Sequence, residues 1–179
     1  MDTYEIIKNK KDMLIFEASK WLGLLEDKPN YSKQIEIFQS VIGSAQRESW
    51  CLAFIQFCVK SVDDQFNLCF DIDHPKHCLY RTEWTRDLWD ATDDRARVEM
   101  PDRGDVIVWA CYEDDLITER GHVGIILEVF ENGTALVIEG NTKPAPRSDQ
   151  THDGVFIRLR RLDAKTGDFR VLGFLTPWL

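Results

Sequence analysis

The sequence lacks a long hydrophobic run. Its longest apolar stretch, Trp50–Val59, is about half the length of a membrane-spanning helix and is interrupted by Gln56. The first 20 residues mix charged and apolar side chains and contain no apolar core of a secretory signal. We therefore expect a protein that does not enter membranes, is made in the cytoplasm and needs another factor to leave the cell.

Basic residues are also scarce. The 22 Lys and Arg residues are outnumbered by 31 Asp and Glu residues, and the formal net charge is −9. Such a surface repels phosphate backbones, and no cluster of cations beyond Lys8, Lys10 and Lys11 offsets it. We therefore expect no nucleic-acid partner, and an anionic cell wall would not attract the chain either.

Glycine and proline, with 10 and 6 residues, are too few for a collagen-like or disordered chain. The length of 179 residues corresponds to about one domain with one hydrophobic core. Five cysteines form an odd count, and without a secretory signal they indicate reduced thiols rather than a disulfide framework. The sequence therefore predicts a single globular domain, which we expect to be monomeric.

The spacing of apolar residues is helical in the first part of the chain. Amphipathic periodicity predicts one helix from Ile6 to about Gly23 or the polar residues after it, and a second helix that ends at Gly43. A third segment, Trp50–Val62, is apolar on every side and follows Ser49, a residue suited to an N-cap. The third segment is therefore predicted to be a buried helix.

A weaker helix is predicted over Glu83–Ala91. After it, the spacing of apolar residues changes from the helical period to the short alternating runs of β-strands. The predicted strands are Val106–Ala110, Val123–Phe130, Ala135–Glu139, Val155–Leu162 and Phe169–Leu175. Residues 142–154 contain two prolines and several polar residues, which indicates a surface loop. Helices followed by strands predict an α+β fold in which N-terminal helices pack on a C-terminal antiparallel β-sheet.

Cys51 lies in the first turn of the third predicted helix. Unpaired N–H groups and the helix dipole favour an anion there, and they can lower the pKa of a thiol from about 8.5 into the range of about 3.5–7.5. The alternative is that Cys51, like Cys58 two turns further on, is a small apolar residue of a buried helix. Helix position does not decide between these interpretations, because a nucleophilic thiol also needs a base.

His122 is the candidate base. It is predicted to open a strand and has Gly121 and Gly124 beside it, which permit close approach of backbone or ligand. Asn132-Gly133 predicts a hairpin after this strand. The residues that return along the next strand are therefore the candidates for supporting His122.

The length of the hairpin loop decides which side chains share a face with His122. A two- or four-residue loop would place Glu139 and Asn141 on that face, and a three-residue loop would place them on the opposite face. With an even loop, both side chains are able to hold the imidazole by its other ring nitrogen, as in thiol hydrolases. Glu139 would then also stabilise imidazolium, and with it a Cys51 thiolate.

Four blocks of sequence, in this order and at these separations, resemble the CHAP family of cysteine amidohydrolases and peptidases, within the wider NlpC-like papain-fold group. The blocks are Trp50–Ile55, Gly104–Trp109, Gly121–Ile126 and Ile138–Thr142. They are specific only in combination, and the resemblance extends from about Trp21 to about Leu175. We expect one CHAP-like catalytic domain, with a helical part over residues 1–45 and a catalytic core over residues 46–179.

The resemblance implies a papain-like α+β fold and cleavage of amide bonds in peptidoglycan. It assigns Cys51 as the nucleophile, His122 as the general base, Glu139 as the orienting residue and Asn141 as an accessory residue. The order of cysteine before histidine separates the chain from circularly permuted relatives. No cofactor is implied.

The resemblance also bears on the oxyanion hole and on metal binding. The backbone N–H of Cys51 is expected to be one oxyanion donor, and Gln46 is a candidate for the second. Some family members carry a calcium loop before the cysteine, but residues 31–50 offer only Glu36 and Glu48, so we expect no calcium site. Many lytic members also append a wall-binding module, for which we see no counterpart.

A second cluster of possible ligands consists of Cys69, His74, His77 and Cys78. Its spacing fits no common zinc finger, and the adjacent His77 and Cys78 are poorly placed to bind one ion. A disulfide between the two cysteines is a further alternative if the protein meets an oxidising compartment. The simplest interpretation is a polar loop between helices, and no metal site is predicted.

The expected function is hydrolysis of a peptidoglycan amide bond in a stem peptide, a cross-bridge or a sugar-to-alanine linkage. Without a signal, the protein would reach the wall after holin-type release, as a phage endolysin, or through a secretion machine, as a delivered effector. One alternative is a non-catalytic interaction module that uses the Cys69–Cys78 loop, with or without zinc, or the surface of Trp84 and Trp89. Another is a cysteine amidase that acts on a different substrate.

Overall fold

A computed structural model describes residues 2–69, 76–144, 152–163, 165–166 and 168–179. The helices of these residues are α1 (Thr3–Ser19), α2 (Lys33–Ile42), α3 (Cys51–Cys69) and α4 (Thr85–Ala91), followed by a 3₁₀ turn over Asp94–Ala96. The strands are β1 (Arg97–Val98), β2 (Val106–Glu113), β3 (Leu116–Val129), β4 (Thr134–Thr142), β5 (Gly154–Arg161), β6 (Lys165–Thr166) and β7 (Phe169–Leu175). The loop predicted over residues 142–154 lies largely outside the described residues.

Local capping explains the bounds of the first two helices. The side chains of Asp2 and Ser32 accept hydrogen bonds from backbone N–H groups in the first turns of α1 and α2. Gly43, with φ at 76°, ends α2 where the sequence predicts. α1 ends at Ser19, before the predicted end near Gly23, because the chain tightens there into i→i+3 turns.

α3 begins at Cys51, and the predicted N-cap at Ser49 is wrong. The Trp50 carbonyl accepts the first intrahelical bond, from the Phe54 N–H at 2.9 Å, so Trp50 takes the N-cap position. The helix also continues past its predicted end, because Phe66 prolongs the buried face. Although α3 is largely apolar, none of the helices that the structure describes is long and apolar enough to cross a bilayer.

The described strands form one antiparallel sheet in the order β1-β7-β2-β3-β4-β5, and β6 pairs with β7. The main hydrophobic core lies between the helices and one face of this sheet, and the buried residues of α3 form its centre. A smaller cluster on the other face contains Ile107, Trp109, Ile126, Ala135 and Val137. The prediction of an α+β fold with helices packed on an antiparallel sheet is confirmed.

β3 begins at Leu116, so His122 lies inside a long strand and does not open one as predicted. Asp114 and Asp115, with φ at 49° and 62°, form a two-residue turn that leads from β2 directly into β3. Positive φ at both positions is the type I′ pattern, which Asn-Gly or Asp-Gly normally marks in a sequence. The resulting pairing places His122 beside Trp109 of β2.

The hairpin between β3 and β4 contains an irregularity that decides the site. The Phe130 N–H donates to the Thr134 carbonyl at 2.8 Å across a three-residue loop, so the even loop considered in the sequence analysis is not formed. This loop alone would place His122 and Glu139 on opposite faces. A β-bulge at Leu127 shifts the register by one residue and returns the two side chains to the same face.

Two of the three clustered N-terminal lysines are paired with carboxylates. Lys10 is buried, and its Nζ lies 2.5 Å from Asp63 Oδ1, which also accepts a hydrogen bond from Trp178 Nε1. The Nζ of Lys11 lies 2.6 Å from Asp105 Oδ1. These pairs tie α1 to α3 and to the segment before β2, so the cluster is not an exposed basic patch.

Candidate active site

Cys51 stands at the first position of α3 and lines a cavity of about 580 Å³. The residue is only 5% exposed, and the unpaired N–H groups of the first helical turn lie at the same end of the helix. Gly140 of β4 makes this placement possible. A Cβ at Gly140 would lie 2.8 Å from the Trp50 ring and 2.9 Å from the Phe54 ring, so glycine lets the start of α3 pack directly on β4.

His122 and Cys51 line the same cavity and interact electrostatically, and the Nε2 of His122 lies 2.9 Å from Glu139 Oε2. The indole of Trp109 stacks against the imidazole, with ring centroids 5.5 Å apart. The ring of Phe169 lies 6.5 Å from it at a tilt. The hydrogen bond to Glu139 and two aromatic neighbours therefore hold the imidazole in one orientation.

Glu139 is fully buried on β4, and its carboxylate reaches His122 past Gly124 of β3. A Cβ at Gly124 would lie 3.0 Å from the Glu139 Cγ, so a side chain there would crowd this path. Both carboxylate oxygens also bind Arg160, with Nε 2.6 Å from Oε1 and Nη2 2.7 Å from Oε2. The structure thus brings Cys51, His122 and Glu139 together in one series of interacting groups, which Arg160 extends.

Asn141 is placed at the site but does not hold the imidazole. Its Nδ2 donates to Ser49 Oγ at 2.7 Å, and Ser49 Oγ lies 3.9 Å from Cys51 Sγ. The backbone of Asn141 has φ at 54°, a left-handed conformation that asparagine adopts more readily than most residues. Asn141 therefore contacts the thiol side of the site through Ser49, whereas Glu139 contacts His122.

The environment of Cys51 favours the thiolate. Burial alone raises the pKa of the Cys51 thiol, but the hydrogen bond and positive charge of His122 lower it. The Ser49 hydroxyl and the Leu52 N–H lower it further, and the resulting pKa lies below the ordinary value. A thiolate at this position is therefore stabilised by its partners and not by exposure to water.

The pKa values of His122 and Glu139 move in opposite directions. Burial lowers the pKa of His122, but hydrogen bonds to Cys51 and Glu139 and their negative charges outweigh burial and raise it to about 10. Burial raises the pKa of Glu139, but Arg160 and His122 lower it to about 2. At neutral pH the arrangement therefore favours an imidazolium beside the Glu139 carboxylate, and the positive charge of that imidazolium favours the thiolate form of Cys51.

The cavity walls carry charges of both signs. The acidic side chains are Glu83, Glu119 and Asp153, and the basic ones are Arg120, Lys143, Arg158 and Arg160. Trp84 adds an exposed aromatic ring. The net charge of the whole chain therefore does not describe the site.

Sequence reasoning missed the roles of Ser49, Trp109 and Arg160 in this site. The one available signal for Arg160 was the alternation of arginine with apolar residues along β5, which places Arg158 and Arg160 on one face. Gln46, the candidate second oxyanion donor, is exposed and is not among the described residues that line the cavity. In the segment between α2 and α3, which contains Gln46, the polar residue that lines the cavity is Ser49.

The second cluster of possible ligands does not assemble into a site in the described residues. Cys69 and Cys78 are free thiols, so the alternative disulfide is not formed. The Cys78 thiol donates towards the carbonyls of Thr176 and Pro177, at 3.4 and 3.3 Å. His74 lies outside the described residues, and within those residues no group of three or more potential metal ligands occurs.

The fold and the site together define a papain-like α+β protein with a cysteine-centred site of the hydrolase type. The model of the CHAP domain matches residues 43–141, more than half of the chain, and the chain belongs to the CHAP domain family. The resemblance is confirmed, and membership implies peptidoglycan hydrolysis in general, by amidase or peptidase activity. A search of curated proteins found no match.

Proposed function

We propose that this CHAP domain cleaves an amide bond of peptidoglycan with Cys51 as the nucleophile. His122 acts as the general base, Glu139 orients it, and Asn141 supports the thiol side of the site. The observation that carries this proposal is the series of interacting groups from Cys51 through His122 to Glu139 in the wall of one cavity.

In the first half of the reaction, the Cys51 thiolate attacks the carbonyl carbon of the amide, and the carbonyl oxygen takes up the negative charge. Backbone N–H groups in the first turn of α3 stabilise that oxyanion. The His122 imidazolium then donates its proton to the leaving nitrogen, and the C–N bond breaks. An amine departs, and a thioester remains on Cys51.

In the second half, the neutral His122 takes a proton from a water molecule that attacks the thioester. The C–S bond breaks, the carboxylic acid leaves, and Cys51 is again a thiolate beside an imidazolium. The negative charge of Glu139 stabilises each imidazolium state and fixes the ring orientation. The resting pair is thereby restored without a net gain or loss of protons on the enzyme.

We propose further that release or delivery, as a phage endolysin or a delivered effector, brings the protein to the wall. The net charge of −9 gives no electrostatic attraction to an anionic wall. The charges of both signs along the cavity offer contacts for recognition of the substrate instead.

Digestion of purified peptidoglycan tests the proposed reaction. Wild-type protein is expected to release soluble fragments, each cleavage adding one water and creating one new amine and one new carboxyl group. Mass spectrometry of the new termini distinguishes stem-peptide, cross-bridge and sugar-to-alanine cleavage. Folded Cys51→Ala is expected to release no fragments, and continued release by that variant would contradict the proposal.

Binding without cleavage is the outcome that supports the alternative. If wild-type protein sediments with peptidoglycan but releases no fragments, the chain is a non-catalytic interaction module on the same fold.

A further inference from the structure

Arg160 of β5 extends the chain of charged groups beyond Glu139. Its guanidinium donates through Nε to Oε1 at 2.6 Å and through Nη2 to Oε2 at 2.7 Å. Such a fork fixes the position and plane of a carboxylate more firmly than one bond does. Because Oε2 also lies 2.9 Å from Nε2 of His122, one oxygen is shared by the guanidinium and the imidazole.

Trp109 supports Arg160 and His122 at the same time. The guanidinium lies over the indole at 5.7 Å from its centroid, and the imidazole stacks on the same indole at 5.5 Å. The Arg160 side chain is 16% exposed, against 0% for Glu139. Arg160 therefore belongs to the inner part of the site, although it lies outside the residues 43–141 that match the family.

The charges of four interacting side chains, in the order Cys51, His122, Glu139 and Arg160, alternate in sign. With Cys51 as thiolate and His122 as imidazolium, the order is negative, positive, negative, positive, and the charges cancel. An unbalanced charge is costly in a buried site, because little water is present to solvate it. Without Arg160 the site would carry one net negative charge and would take up a proton at higher pH.

We propose that Arg160 is a positioning residue of the active site: it keeps Glu139 charged and aimed at His122, and thereby keeps Cys51 in the thiolate form. This inference rests on the proposed function. It agrees with the pKa of Glu139, which burial raises and which the bond from Arg160 does most to lower.

Other charged groups face the same cavity and act less directly. They are Glu83, Glu119, Arg120, Lys143, Asp153 and Arg158. All six are exposed or half-buried, so water and salt screen their charges from the thiol. In the described part of the chain, Arg160 and His122 are the cations bonded directly to Glu139.

The test is the pH dependence of Cys51 alkylation by iodoacetamide, with the modified residue located by mass spectrometry. Arg160→Gln removes the positive charge, so we expect the acid limb of the rate profile to move about one unit to higher pH. Arg160→Lys keeps the charge and should restore most of the wild-type profile. Arg161→Gln is the matched control, because Arg161 is exposed and pairs with Asp163.

The outcomes separate this inference from the proposed function. Fast alkylation in wild type with an unchanged profile in folded Arg160→Gln overturns the role of Arg160 alone. Wild-type Cys51 that reacts no faster than a model thiol overturns both proposals. If Arg160→Gln does not fold, Arg160→Lys decides: an acid limb displaced despite the retained charge contradicts the proposal, and an unmoved limb with a lower hydrolysis rate supports it.

Discussion

Cys51 and Cys58 lie two turns apart on α3 and both are buried, but their surroundings act on the two thiols in opposite directions. At Cys58, burial and then the negative charge of Glu17 raise the pKa well above its ordinary value. At Cys51 burial also raises the pKa, but His122, the Ser49 hydroxyl and the Leu52 N–H together outweigh it and the pKa falls. The comparison teaches that the partner and the position on the helix, and not burial, decide which thiol is reactive.

The largest contrast between the two cysteines is expected in hydrolysis itself. Cys51→Ala removes the nucleophile and should lower the rate of fragment release by about 10³-fold or more. Cys58→Ala leaves the catalytic groups in place and should cost about 1–2 kcal/mol of the free energy of unfolding through lost packing. Peptidoglycan digestion and urea denaturation measure the two effects, and equal loss of activity in both variants would remove the contrast.

Removal of the imidazole should make Cys51 resemble Cys58. His122→Gln deletes the positive charge that lowers the pKa of the Cys51 thiol, so alkylation at neutral pH should slow by about 10²-fold. Cys58 in the same protein serves as the internal reference and should react only after unfolding. Rapid alkylation of Cys51 in folded His122→Gln would show that the helix start alone activates the thiol.

Glu139→Gln should move the alkaline limb of the hydrolysis rate to lower pH. Glu139 raises the pKa of His122, so its loss lets the imidazolium lose its proton at a lower pH. We also expect a rate reduction of about 10- to 100-fold at neutral pH, since the ring loses its orienting partner. Glu128→Gln, at an exposed position on β3, is the control, and an alkaline limb that moves equally in both variants argues against the assignment.

The smallest effect is expected on the other side of the thiol. Asn141→Ala removes one hydrogen bond of the chain that ends at Cys51 Sγ, and Ser49→Ala removes both, so the hydrolysis rate should fall by about 3- to 10-fold in either variant. Exposed Ser40 on α2 provides the control substitution Ser40→Ala. A loss of hydrolysis as large as that expected for Glu139→Gln would mean that Asn141 also governs the base.

The pairing of His122 with Glu139 marks the limit of what the sequence predicts. The expected pairing of residues across the hairpin correctly identified Glu139 as a candidate partner of His122, but only for a loop with an even number of residues. The loop has three residues, and the bulge at Leu127 returns the side chains of His122 and Glu139 to the same face of the sheet. A bulge depends on how the two strands pack and twist, so the apolar alternation did not reveal it.

The sequence by itself determined the order of helices and strands, the position of Cys51 at a helix start and the blocks that carry the family resemblance. These features are local, because helical and strand periodicities and turn residues act over a few positions. Tertiary structure alone decided that Cys51 lies beside His122, that Asn141 hydrogen-bonds Ser49, and that Arg160 binds Glu139. Those contacts join residues far apart in the chain, and their distances depend on register, on a bulge and on the close approach that Gly124 and Gly140 allow.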